Sequence, residues 1–275
     1  MKYLKLFENF DQTKIDKICK KYGIENYTIN PDGSIDVDGD VDLTEWNLTK
    51  LPLKFNKVSG SFLCYDNYLT SLDGCPKEVV GNFNCARNNL TNLIGGPKEV
   101  GGYFDCSDNK LTSLDGCPKE VICGFHCADN KLTTLEGCPE KIGDSFNCQQ
   151  NGLTNLDGCP REIGGFFGCS DNYLTSLVGS PKYATSVYCN NNELTTLEGC
   201  PNTDGFIDCN ENPICAITSL FRSTGAYLEY QETYNFVRKD CKIVRHLLEE
   251  ALKDYNEYYK DNKRIHKEIK GYTYI

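Results

Sequence analysis

The sequence predicts an α/β architecture: a right-handed solenoid of short parallel strands with a brief, non-helical convex side and a helical cap at each end. Three observations predict it. Cys64, Cys85, Cys106, Cys127, Cys148, Cys169, Cys189 and Cys209 recur at intervals of 21 residues, five times, and then of 20. Three residues after each stands an asparagine (Asn67, Asn88, Asn109, Asn130, Asn151, Asn172, Asn192, Asn212), and two further on a leucine or, once, Ile214. Each of the first seven cysteines is also followed by glycine at plus ten and proline at plus twelve, as in Gly74-Cys75-Pro76. The period therefore carries its own turn signal, and a repeat of this length marks a stacked coil.

Along the chain, residues 1–40 read as an N-terminal cap. Leu4, Phe7, Phe10, Ile15 and Ile18 recur at helical spacing up to Gly23. Asn30-Pro31-Asp32-Gly33 then signals a hairpin that presents Ile35, Val37 and Val41 on one face. The solenoid spans residues 41–215. Its first coil is degenerate, with Leu43 in the cysteine slot and Trp46 in the asparagine slot, as expected of a terminal repeat. Residues 216–275 read as a C-terminal helical cap, because Ile243, Val244, Leu247, Leu248, Ala251, Leu252 and Tyr255 trace an amphipathic stripe.

One unit, Val80-Gly81-Asn82-Phe83-Asn84-Cys85-Ala86-Arg87-Asn88-Asn89-Leu90, fits L-x-x-L-x-L-x-x-N-x-L with cysteine in the third apolar slot. Over about residues 35–215 the chain thus resembles the leucine-rich-repeat family, and its short period is similar to that of bacterial members, including secreted effectors with a smooth concave sheet. Strand alternation sends Phe83 and Cys85 inward and leaves Asn82, Asn84 and Ala86 in solvent. The cysteines then form a column of small apolar groups, and the asparagines satisfy backbone groups at the bend. The opening Lys2-Tyr3-Leu4-Lys5-Leu6-Phe7-Glu8-Asn9-Phe10 resembles those of repeat proteins of large tailed phages and marine bacteria, which implies a host-directed target.

Chemistry is harder to find. With 39 acidic against 29 basic residues the net charge is -10, which disfavours nucleic acid and favours a basic partner. No stretch has the ~20 apolar residues of a membrane span and no signal peptide opens the chain, so a cytoplasmic location is expected, the host cytoplasm if the protein is phage-encoded. Seventeen cysteines, an odd count, accompany only three histidines. They stand in line and not in a tetrahedral set, so no metal, cofactor or disulfide framework is expected. Cys75, Cys117, Cys138, Cys159 and Cys200 make a second column, interrupted by Gly96 and Ser180. No phosphate loop or nucleophile elbow appears, and no catalytic residue is assigned. The alternative is an effector-type enzyme, similar to bacterial leucine-rich-repeat ubiquitin ligases, acting through Cys241. Ile243 breaks their Cys-x-Asp signature, and the tail is short for such a domain.

Function is therefore expected on the outward strand positions, which vary between coils while the inward ones repeat. They include Tyr65, Tyr103, His126, Phe166, Tyr188 and Phe206, and the last three sit on consecutive coils. Aromatic groups side by side on a concave sheet are binding anchors or a stiffening stack. Asp66, Asp108, Asp129 and Asp171 form an acidic edge beside them, either a solvated border or a strip that steers a basic partner. A column of threonines, Thr70 through Thr195, is a β-favouring polar ladder before it is a ligand surface. The leading expectation is a protein-protein interaction scaffold.

Overall fold

A computed structural model describes residues 12–221, 223–234, 236–237, 242–261, 263 and 273–274. Within them the repeat folds as a coil. Nine two-residue strands, from Val41–Asp42 through Phe62–Leu63, Phe83–Asn84 and onward to Ile207–Asp208, pair in chain order into one parallel sheet. The register is that of the sequence period, with Phe62 opposite Phe83 and Phe83 opposite Phe104. One coil thus lies directly on the next.

That stacking turns each repeated residue into a column. Phe62, Phe83, Phe104, Phe125, Phe146 and Phe167 are fully buried, and successive ring centroids lie 4.9 to 6.0 Å apart. Such pairs add about 0.5–1.5 kcal/mol each to their area burial. The cysteines from Cys64 to Cys209 form the adjoining column, Cys209 being 5% exposed and the others 0%. Ala86 departs from the expectation. It is only 8% exposed, and so are the equivalent Ala128 and Ser170 at 7% and 3%. These small side chains sit below the level of larger neighbours in their column, such as Tyr65 and Gln149.

The opposite side of each coil, expected to be extended or made of turns, carries a second parallel ladder. Phe55–Val58, Glu78–Val79 and Glu99–Val100 continue a hairpin formed by Tyr27–Ile29 and Ile35–Val37, while Glu120–Val121, Lys141–Ile142 and Glu162–Ile163 form a separate sheet. Its Val and Ile side chains are buried against the phenylalanine column. At the interruption between the two groups the exit step also differs in sequence. Where the chain leaves this ladder the other coils have a glycine in a two-residue step: Ser59-Gly60, Val80-Gly81, Gly101-Gly102, Gly143-Asp144, Gly164-Gly165. Ile122-Cys123 has none. The Gly102 amide reaches the Gly81 carbonyl at 2.8 Å, but the Cys123 amide stretches to 3.4 Å from the Gly102 carbonyl.

Helix α1, Gln12–Tyr22, buries Ile15 and Cys19, and the preceding part of the expected helix lies outside the described residues. After the last coil come α2 (Cys215–Thr218), α3 (Thr224–Tyr234) and α4 (Arg245–Tyr259), the last burying Leu248, Ala251, Leu252 and Tyr255 as its stripe requires. Phe221, Tyr227, Phe236 and Tyr255 pack as an aromatic cluster between them.

Candidate functional site

Two kinds of residue fix the long sheet in place, and a third kind is left free on it. The asparagine column does most of the fixing. Asn109 Nδ2 donates to the Cys106 and Ser107 carbonyls of its own bend, both at 3.2 Å, and to the Cys85 carbonyl of the preceding coil at 3.0 Å. Its Oδ1 accepts from the Leu90 amide of that preceding coil at 2.9 Å. Each asparagine therefore serves the coil before it. The first coil has no predecessor, which is why Trp46 can occupy its slot; there Trp46 packs edge-on against Tyr22 at 4.8 Å. At the other end Asn212 donates to the Cys209 carbonyl of its own bend at 3.0 Å, and the Cys215 thiol, at 2.7 Å, takes the place of a following coil's asparagine.

The acidic edge has a backbone origin. Asp66, Asp108, Asp129 and Asp171, with Arg87, Gln150, Asn191 and Glu211 between and after them, all adopt positive φ between 50° and 58°. Every coil turns through a left-handed residue at this point, which favours Asp and Asn among side chains other than glycine. Along the edge Arg87 bridges Asp66 at 3.3 Å and approaches Asp108 at 3.9 Å, and Asn191 donates to Asp171 at 2.6 Å. Partial burial, with Asp108 and Asp171 nearby, raises the Asp129 carboxyl above its usual range.

The thiols are shielded. Burial pushes Cys64 up to about 12 and, together with neighbouring thiols, lifts Cys106, Cys127 and Cys169 well above the ordinary value. A thiol held protonated is neither nucleophile nor metal ligand. Among the described residues no three His, Cys, Asp or Glu side chains gather as a metal site, and Cys123 is the one exposed cysteine. Cys241 lies outside the described residues.

What remains is the outward face of the sheet. Of the six expected anchors, three come together: Tyr188 packs edge-to-face on Phe166 at 5.6 Å and on Phe206 at 5.1 Å. Phe206 is 55% exposed, and the other two are half-buried. Gly168 lies in register beside Tyr188, and a Cβ there would crowd Gln149 Nε2 at 2.9 Å and Asn147 Oδ1 at 3.2 Å. Asp208 stands in register beside Tyr188. Neither residue carried a signal in the sequence, since one is a missing side chain and the other one of many aspartates. Tyr65, Tyr103 and His126 lie apart from the cluster. Tyr65 borders a 370 Å³ depression with Arg87, Asp105, Asp108 and Asp129, and His126 folds back over Gly124, whose Cβ would lie 3.0 Å from Nε2.

Charge is segregated between the two sides. From Ser61 to Asn210 the three outward columns of the long sheet hold Asp105 and Asp208 and neither lysine nor arginine. Lys57, Lys77, Lys98, Lys119, Lys141 and Arg161 all stand on or beside the second ladder.

No protein-family model matches the chain, and no curated protein sequence does. Among solved structures it is similar to YopM, a leucine-rich effector protein from Yersinia pestis, with 19% identity and a TM-score of 0.45 over 63% of this chain and 55% of that one. YopM from Yersinia enterocolitica WA-314 gives 18% identity and a TM-score of 0.45 over 63% and 47%. The chain thus spans about half the length of these neighbours. Its own in-phase coils, their N-x-L bend and the column of asparagines joining each coil to the one before give this chain the fold of a leucine-rich-repeat solenoid.

Proposed function

We propose that this chain is a protein-interaction scaffold that takes a basic partner on the outward face of its long sheet, with Phe166, Tyr188 and Phe206 as the anchor. One observation carries the proposal: the face combines an exposed aromatic cluster with an absence of lysine and arginine across its outward columns. Aromatic anchors supply area at low entropic cost, and arginine or lysine approaching Tyr188 gains both the ring face and the Asp208 carboxylate. Asp105 and the acidic edge raise the encounter rate without holding the partner. The edge-to-face contacts also stiffen the sheet, so anchoring and stacking are the same geometry. The column thiols are buried and held protonated, so none of them is an activated nucleophile, which favours binding over catalysis at the column.

The test is the double variant Phe166→Ser/Tyr188→Ser. Its circular dichroism is expected to match the parent, since both side chains lie outside the core. Capture of the partner from lysate is expected to vanish; undiminished capture of the same protein refutes the proposal.

A further inference from the structure

The second ladder carries a charge pattern that the front face does not explain. Immediately before its Val or Ile, five successive coils carry a pair of opposite charges: Lys77-Glu78, Lys98-Glu99, Lys119-Glu120, Glu140-Lys141 and Arg161-Glu162. All are exposed except Glu78, which is half-buried and bound by Lys57 at 2.6 Å. Stacking at ~4.8 Å per coil draws these pairs into two parallel rows about 20 Å long, one basic and one acidic, that change places at a single coil. Like charges are neighbours over the first three coils, whereas Lys141 stands in register between Glu120 and Glu162. Glu78 stands in register with Glu99, an arrangement that disfavours the sheet. Uncharged polar residues would keep the strands solvated without that repulsion. Beside the rows lies a groove of 690 Å³ whose lining includes Val80, Val100, Pro118 and Ile122. Val80 and Ile122 are 51% and 63% exposed.

We infer that this face is a docking surface for a second copy of the same chain, related by a two-fold axis running along the stack. Such an axis keeps every coil at its own height and exchanges the two rows. Each cation then meets the anion of the equivalent coil in the other copy. The inverted pair obeys the same rule, because Glu140 of one copy meets Lys141 of the other. Alternatives fail on charge. An axis across the stack sets lysine row against lysine row. A slip of one coil sets Lys119 against Lys141 and Glu120 against Glu140. The inverted coil thus fixes the register, as a single polar residue does in a coiled coil. The apolar groove supplies the part of the contact that excludes water. A patch of this extent lies at the small end of stable interfaces, so the dimer is weak and sensitive to salt.

Sedimentation equilibrium of the full chain tests this. At low salt the parent is expected to show a concentration-dependent monomer–dimer equilibrium, weakened at least tenfold between ~50 and ~500 mM salt. The variants Lys98→Glu/Lys119→Glu and Glu99→Lys/Glu120→Lys, each with parental circular dichroism, are expected to be monomeric alone. Mixed, they are expected to form a heterodimer, because both rows then face opposite charge. A parent that stays monomeric, single variants that dimerise like the parent, or a mixture that stays monomeric would each overturn the inference. The front-face proposal is untouched by any of these results.

Discussion

Asn109 shows how much one side chain holds in this protein. It satisfies a buried amide and three carbonyls on two coils, so its removal orphans the Leu90 amide and strips one of two donors from the Cys85, Cys106 and Ser107 carbonyls. Asn109→Ala is expected to destabilise by about 2–3 kcal/mol in urea unfolding. Asn109→Asp is expected to be worse, since it points a carboxylate at three carbonyl oxygens; a milder effect than alanine would show that the donors do not matter. The thiols make a second prediction. Above the ordinary thiol value of 9.0 the unfolded chain releases protons that the folded coil retains. Their stabilisation is therefore complete below about pH 9 and declines as pH rises, by about 1.4 kcal/mol per buried thiol per pH unit. Melting at pH 10 is expected to fall well below that at pH 8, and equal melting temperatures would count against a buried thiol column. The cysteine and asparagine columns were legible because they recur. Gly168 and Asp208 were not, since each matters through Tyr188, which stands in register beside both from the neighbouring coil.

At the scale of elements, periodicity reveals whatever faces inward and little else. The phenylalanine–cysteine strands and the stripe of α4 follow from their patterns. The second ladder was missed, although Val79, Val100, Val121, Ile142 and Ile163 recur with the same period, because two-residue strands have no alternation to read. Helix α3 was missed for a related reason: its tyrosines and glutamates, Tyr227, Glu229, Tyr230 and Glu232, show no apolar stripe. It forms because Tyr227 fits the aromatic cluster. The interruption of the second ladder yields a test of the glycine step. Cys123→Gly is expected to let Glu99–Val100 and Glu120–Val121 close up and to slow amide exchange at Lys119 and Ile122. Gly143→Ala should do the reverse, because its Cβ would strike the Ile122 carbonyl oxygen, at a cost of about 1–3 kcal/mol.

The whole molecule is a rod with two unlike sides, and the difference between them is electrostatic before it is anything else. Composition gives only a net charge of -10, which says nothing about where the lysines go. The coil sorts them, since a residue's slot in the 21-residue unit decides which side it occupies. The aromatic face and the paired-charge face can therefore be altered independently. The most direct measurement is a set of binding isotherms with the purified partner, run for the parent, for Phe166→Ser/Tyr188→Ser, and for Lys98→Glu/Lys119→Glu. The aromatic variant is expected to lose at least tenfold in affinity, while the lysine variant binds as tightly as the parent. An aromatic variant that binds like the parent while the lysine variant fails would contradict the assignment of function to the outward face of the long sheet.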